Sequence, residues 1–294
     1  SSSSAASDVY KRQLQDSTEE LNKLIGLENV KTEVNELVKL VRYYREIGRD
    51  VLNSFSMHAV FTGNPGTGKT TVARIIGKIY KALGLLEKGH VIETGREGLI
   101  AGFIGQTAIK TKEVIDSSMG GVLFIDEAYG LTDENSQNSY GAEAIEVILK
   151  NMEDHRGKFA VIAAGYPDNM DRFMKANPGL MSRFDKIFHF RDYSTEELEL
   201  IMEFMLNERD LVLGIEARDH VLNYLNQIIK FRDKYFGNAR EVRKMVEDIV
   251  RKQNLRMADM RKEERTFDSI RTVALDDVKH LVLEKQQGKS FGFN

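Results

Sequence analysis

The sequence has 294 residues and a formal net charge of −3 from 42 basic and 45 acidic side chains, so a broad positive field for nucleic acid is not expected. A hydrophobic share of 41% and a charged share of 30% suit a globular chain with a sizeable core, organised as one large domain or two modest ones. Cysteine is absent, which excludes disulfides, thiolate metal sites and a cysteine nucleophile, and no apolar run reaches the length of a membrane-spanning helix.

Ser1–Ser7 is small and polar and lacks the apolar core of a secretion signal, so the cytoplasm is the expected compartment. Residues 1–20 read as a disordered tail, because Ser1–Asp16 has too little apolar surface to offset the entropy of ordering. Ser17-Thr18-Glu19-Glu20 fits a capping box ahead of Leu21. Val30, Val34, Leu37, Val38 and Val41 then form one stripe of a helix running to Tyr44. Met57–Thr62 predicts a strand bounded by Gly63, and Thr70–Leu83 a helix with Val72, Ile75, Ile76 and Ile79 on one side. Gly95, Gly98, Gly102 and Gly105 bracket a flexible stretch, and Gln106–Ser118 reads as a helix. Gly121–Ile125, Lys158–Ala164 and Ile187–Phe190 are further apolar strands.

Short apolar strands alternating with longer helices predict an α/β fold with a parallel sheet covered on both faces. After Arg191 the pattern turns helical. A second capping box, Ser194-Thr195-Glu196-Glu197, opens a helix to about Glu208, followed by helices over Ala217–Ile229, Asn238–Met260 and Asp276–Leu283. The expected organisation is a large α/β domain over 21–191, a helical domain over 192–284 and a loose tail over 285–294. Arg251–Arg265 mixes its bases with Asp259, Glu263 and Glu264 and reads as a solvated helix face. None of the six histidines pairs with another at metal-ligand spacing on one helix face.

Chemistry concentrates in two places. Gly63-Asn64-Pro65-Gly66-Thr67-Gly68-Lys69-Thr70 matches G-x-x-x-x-G-K-[ST], between a strand and a helix. Glycines there let backbone N–H groups turn inward around phosphates, with Lys69 reaching the β- and γ-phosphates. The hydroxyl of Thr70 suits Mg²⁺, and the helix that follows, with Thr71 in its first turn, presents its positive end. The second place is Val122-Leu123-Phe124-Ile125-Asp126-Glu127. A buried strand delivers Asp126 to the sheet edge, where it can hold Mg²⁺ directly or through water, and Glu127 can orient or deprotonate an attacking water. A nucleoside triphosphate and Mg²⁺ are therefore the expected ligands.

With Arg183 in Asn177-Pro178-Gly179-Leu180-Met181-Ser182-Arg183-Phe184 and with Gly237-Asn238-Ala239-Arg240, these elements resemble the AAA+ ATPases from about Leu21 to Leu283. The guanine signature N-K-x-D of GTPases and the L-S-G-G-Q of transporter ATPases are missing. Gly120-Gly121 ahead of the second motif, Ala128-Tyr129 after it, Ala164-Gly165-Tyr166 and Met170-Asp171-Arg172-Phe173 narrow the likeness. It is closest to the subgroup of CbbX and stage V sporulation protein K, which includes the red-type Rubisco activases and the ATPases of type VII secretion. The resemblance implies an α/β P-loop core with a smaller helical lid. It implies adenine contacts at Ile25-Gly26, an arginine finger at Arg183 serving the neighbouring subunit, and a second sensor at Arg240, with Arg243 the competing candidate. The first-sensor strand ends here in Ala163-Ala164-Gly165-Tyr166, without the Asn, Ser or Thr common in the family, which leaves Tyr166, Asp168 and Asn169 as candidates.

The resemblance further implies a pore loop at Ala101-Gly102-Phe103-Ile104-Gly105, an aromatic-aliphatic tip gripping a threaded polypeptide; packing of Phe103 and Ile104 into the core is the alternative. The polar stretch Thr132–Gly141 is a second pore loop or a solvated connection. The function this implies is a ring, hexameric by family, that hydrolyses ATP to remodel a protein client. The rivals are a Rubisco activase in the strict sense, a nucleic-acid-linked AAA+ ATPase, and a nucleotide-gated binding module, which Glu127 argues against.

Overall fold

A computed structural model describes residues 2–103, 105–132, 140–184 and 186–283, with side chains from Ala5 onward. Ile104, most of the polar stretch Thr132–Gly141 and the expected tail over 285–294 lie outside the described residues. The chain divides between Asp192 and Tyr193 into two compact units.

The first unit is built on five strands: β1 (Ala59–Gly63), β2 (Val91–Thr94), β3 (Val122–Ile125), β4 (Ala160–Gly165) and β5 (Lys186–Phe190). Their spatial order is β2-β3-β4-β1-β5, and every pairing is parallel. Strands β1, β3 and β4 are buried along their whole length, as central parallel strands covered on both faces must be. Nine α-helices are described in this unit: α1 (Ser2–Asn22), α2 (Glu28–Glu46), α3 (Val51–Ser54), α4 (Lys69–Ala82), α5 (Arg96–Leu99), α6 (Gln106–Ser118), α7 (Tyr140–Asp154), α8 (Pro167–Ala176) and α9 (Pro178–Arg183). The predicted stripe of α2 is the buried one, Val30, Val34, Leu37, Val38 and Val41. Phe61, Phe124 and Phe188, from three strands, meet edge to face in the core.

Three expectations are corrected here. The described part of residues 1–20 is not a disordered tail: α1 covers 2–20 and packs against α4. Leu21 is fully buried, Ser17 is buried one turn earlier, and Lys78 of α4 holds the Glu20 carboxylate at 3.0 Å, so tertiary contact orders a segment whose own composition would not. The capping box at Ser17 does not start a helix, because α1 is already under way and the Ser17 hydroxyl donates back to the Gln13 carbonyl. Edge strand β2 was not among the predicted strands. It is short and half exposed, with Glu93 and Thr94 interrupting the apolar signal.

The second unit contains α10 (Thr195–Asn207), β6 (Val212–Leu213), α11 (Ile215–Phe231), α12 (Ala239–Asp259), α13 (Phe267–Arg271), β7 (Thr272–Val273) and α14 (Leu275–Val278). Ser194 and Glu197 form the capping box predicted for α10, each bonding the other's backbone N–H. The parallel pair β6–β7 is two residues long per strand, too short for any periodicity to reveal it. The last predicted helix, Asp276–Leu283, shrinks to α14: beyond it the Leu281 N–H closes a tighter turn on the Val278 carbonyl, and the Leu281 carbonyl accepts from the His220 ring at 3.0 Å. Within Arg251–Arg265, Arg251 pairs with Asp248, Arg256 with the buried Asp277 at 2.8 Å, and Arg261 with Glu264.

Candidate functional site

The carboxyl edge of the sheet holds the first motif. Gly63 ends β1 and leads directly into the loop before α4. Gly66 (φ 71°) and Gly68 (φ 96°) adopt left-handed backbone that side-chain-bearing residues rarely take. Gly63 is required for a different reason: a Cβ there would stand 2.5 Å from the Phe190 carbonyl oxygen of neighbouring β5. Thr67 is buried and donates its hydroxyl to the Asn64 carbonyl at 2.8 Å, which closes the loop on itself. The Lys69 ammonium lies across it, 2.8 Å from the carbonyl oxygens of both Gly63 and Asn64. The first helical bond of α4 runs from the Val72 N–H to the Gly68 carbonyl, so the amides of Lys69, Thr70 and Thr71 precede any helical acceptor. A glycine-turned loop, a helix N-terminus and the Lys69 ammonium together fit a polyphosphate. Asn64 is tethered to Asp192 at 2.9 Å, and Thr62 to His189 at 2.8 Å, so β5 buttresses the cradle.

Strand β3 brings the carboxylates to the same edge. Val60 of β1 and Ile125 of β3 both stand opposite Ala163 of β4, so Asp126 emerges level with Phe61, two residues before the end of β1 and two strand spacings or roughly 10 Å to the side. The Asp126 N–H is fixed by the Thr94 carbonyl at 2.8 Å, and its own carboxylate accepts the Glu127 N–H at 3.0 Å. Glu127 is a non-glycine residue at φ 49°, and the bend this makes leaves its side chain exposed at the edge. Among the described residues no cluster of three or more His, Cys, Asp and Glu side chains could by itself hold a metal ion. A metal here would be held by Thr70, Asp126 and phosphate oxygens together.

The end of β4, between the two motifs, carries a polar group that sequence reasoning touched only in part. The Tyr129 hydroxyl bonds the Asn169 side chain, burial followed by the Glu127 charge pushes the phenol's pKa up, and the Tyr166 ring lies 6.3 Å away. The Tyr129 ring also explains Gly165, where a Cβ would meet it at 2.9 Å. Of the three first-sensor candidates, Asn169 and Tyr166 face this group, whereas Asp168 is exposed in the first turn of α8.

Ile25 and Gly26 form the turn between α1 and α2, where Gly26 and Leu27 are left-handed in succession. Asn29, one turn on, donates to the His189 carbonyl of β5 at 2.6 Å, which keeps this turn beside the carboxyl edge. In the second unit, Arg240 and Arg243 both stand exposed on the first turns of α12.

Arg183 lies at the other end of the sheet. It closes α9, whose Asn177 cap accepts the Gly179 N–H at 2.8 Å, and it shares a cavity with His58 and Phe159, the residues just before β1 and β4. The length of β1, roughly 15 Å, separates that cavity from the chain's own phosphate loop. Its guanidinium sits 3.3 Å from Glu153, and its Nε is buried without a hydrogen-bond acceptor. Phe103 is not packed in the core: it is 71% exposed, and the neighbouring Gly102 and Gly105 have nothing within 4 Å of where a Cβ would stand. No helix among the described residues is long and apolar enough to cross a membrane.

Comparison with known proteins gives two domain matches. Residues 59–192 match the ATPase family associated with various cellular activities (AAA), and residues 194–288 match the AAA lid domain. The chain is 42% identical over 271 residues to the chloroplastic ribulose bisphosphate carboxylase/oxygenase activase of Cyanidioschyzon merolae, covering 90% of this chain and 91% of that one. It is 39% identical over 247 residues to stage V sporulation protein K of Bacillus subtilis, covering 83% and 76%. With the chromosomal protein CbxX of Cupriavidus necator it shares 43% over 222 residues, covering 75% and 69%. Among solved structures, the FIGL-1 AAA domain in complex with ADP has a TM-score of 0.59 at 18% identity over 88% of this chain and 82% of that one. The Thermotoga maritima RuvB Holliday junction branch migration motor has a TM-score of 0.55 at 20% identity, covering 87% and 69%. At such identities the structural likeness shows the fold alone.

Proposed function

This chain belongs to the AAA family of ATPases, in the subgroup of CbbX and stage V sporulation protein K, and hydrolyses ATP; from that premise we propose how its residues divide the work. The amides of Gly63–Thr71 and the Lys69 ammonium bind the β- and γ-phosphates. Ile25 and Gly26 hold the adenine. Thr70 and Asp126 hold Mg²⁺, which when bound offsets charge on the phosphate oxygens. Glu127 orients the attacking water and accepts its proton. The Tyr129–Asn169 pair stands where a first sensor works. Arg240 reports from the lid, with Arg243 its competitor.

Arg183 serves the γ-phosphate bound by the next copy, where a permanent cation offsets charge that builds up during transfer. Its place at the sheet edge remote from its own phosphate loop supports action in trans. That role requires a closed assembly, which we take to be a hexameric ring. Phe103 and Ile104 would face its pore and grip a protein client, and the exposure of Phe103 supports this. We place the protein in the cytoplasm.

The observation that carries the reading is the glycine cradle with Lys69 across it, at the sheet edge where Asp126 and Glu127 emerge. Nucleotide binding and steady-state turnover test it. Lys69→Ala is expected to lose binding or turnover. Glu127→Gln is expected to bind ATP while turnover falls at least about a hundredfold, and near-normal turnover in Glu127→Gln contradicts the assignment. A second reading, ribulose bisphosphate carboxylase as the client, is favoured by the 42% identity to the chloroplastic activase. Pull-down with an ATP-loaded Glu127→Gln trap chooses between that client and another. Nucleic acid as client is disfavoured by the net charge of −3 and by the acidic partners of Arg251, Arg256 and Arg261.

A further inference from the structure

The cavity that contains Arg183 holds a second cation that no role above uses. Arg156, two residues beyond α7, lines it together with His58, Glu153 and Arg183. Arg156 is exposed, and among the described residues no acceptor or carboxylate pairs with it. Glu153, the one carboxylate on the cavity wall, is engaged by Arg183. Two arginines thus line one space with one acid, and that acid is paired with Arg183.

His58 senses that imbalance. Its Nδ1 accepts the Val161 N–H at 2.9 Å, so the neutral ring carries its hydrogen on Nε2. The imidazole pKa is held down to about 4, by burial first and then by the charges of Arg156 and Arg183. Both arginines therefore project positive potential onto the same group. Leaving the Arg183 Nε without an acceptor is costly unless an anion or a rearranged partner takes it up. The cavity also opens on the sheet edge remote from the chain's own phosphates, so an anion arriving there comes from outside this copy.

We infer that Arg156 works beside Arg183 as a second trans-acting cation, directed at the phosphates bound in the neighbouring copy. The inference rests on the reading of Arg183 as a trans-acting arginine. Two planar guanidinium forks can share the oxygens of a phosphoryl group that one fork cannot cover, which a lysine at either place would do less well. Arg156 reaches the site from the loop after α7 and Arg183 from the end of α9, so the pair clamps from two elements rather than one.

The test uses the full chain with Arg156→Ala, Arg156→Lys and Arg183→Ala, measuring ATP affinity and steady-state hydrolysis, each alone and mixed with Glu127→Gln. Arg156→Ala is expected to keep its ATP affinity within about twofold while kcat falls at least about tenfold. Arg156→Lys should fall between it and the wild type. Adding Glu127→Gln, which brings an intact Arg156 but turns over little itself, should raise turnover of Arg156→Ala above the sum of the two separate rates. If Arg156→Ala hydrolyses normally while Arg183→Ala does not, the inference fails and the role of Arg183 stands. Normal hydrolysis in both variants overturns both assignments. Lost ATP affinity in Arg156→Ala, or lost turnover with no gain on mixing, places Arg156 in the service of its own subunit and also overturns the inference.

Discussion

At the scale of single residues, His58 makes a pH prediction with a definite sign. Its pKa is about 4 in the fold against an ordinary value of 6.5. Between those values the unfolded chain binds a proton that the folded chain refuses. The site therefore takes nothing from stability above pH 6.5, and an increasing amount as pH falls from 6.5 toward 4. The slope is about 1.4 kcal/mol per pH unit, for a total of about 3 kcal/mol. Denaturation midpoints should drop between about pH 7.5 and about pH 5, and His58→Gln should flatten that drop; an unchanged slope in the variant would assign the acid sensitivity elsewhere. Around the ring stand Glu153, Arg156 and Arg183, so the same measurement in Arg156→Ala should show a shallower slope than in the wild type.

At the scale of elements, the Phe103 loop is the part whose purpose the fold does not explain by itself. An aromatic ring that is 71% exposed between two glycines contributes nothing to the core of its own chain. If it grips clients, stimulation of ATP turnover by a permanently unfolded polypeptide should vanish in Phe103→Ala and persist in Phe103→Tyr. Unaltered stimulation in Phe103→Ala would remove the loop from client contact.

The elements also divide by how much of them a sequence can disclose. Strands β1, β3 and β4 announce themselves as unbroken apolar runs because both of their faces are covered. The phosphate cradle and the Asp126-Glu127 pair are legible because all their parts lie within a few consecutive residues. Strand β2 and the pair β6–β7 are too short or too polar to carry a period. Helix α1 depends on packing against α4, where Glu20 meets Lys78, a contact absent from local composition. The cavity of His58, Arg156 and Arg183 is the extreme case. Its members come from segments far apart in the chain, brought together only by the register that sets Ala59 opposite Ile162.

At the scale of the whole molecule, the two ends of one parallel sheet carry what we propose to be complementary halves of a reaction site. The carboxyl edge offers the phosphate cradle, Asp126 and Glu127, and the amino edge offers Arg183 with Arg156 beside it. Neither edge can reach the other within one chain, so under the proposed roles ATP hydrolysis is work shared between copies. We propose that two copies divide the site in this way. That division is tested most directly by mixing Arg183→Ala, which keeps an intact cradle and Glu127, with Glu127→Gln, which keeps an intact arginine, and following ATP hydrolysis. Each variant alone should be nearly inactive, and the mixture should turn over ATP well beyond the sum of the two. A mixture no faster than that sum, or an Arg183→Ala protein that hydrolyses ATP at the normal rate by itself, would contradict the account.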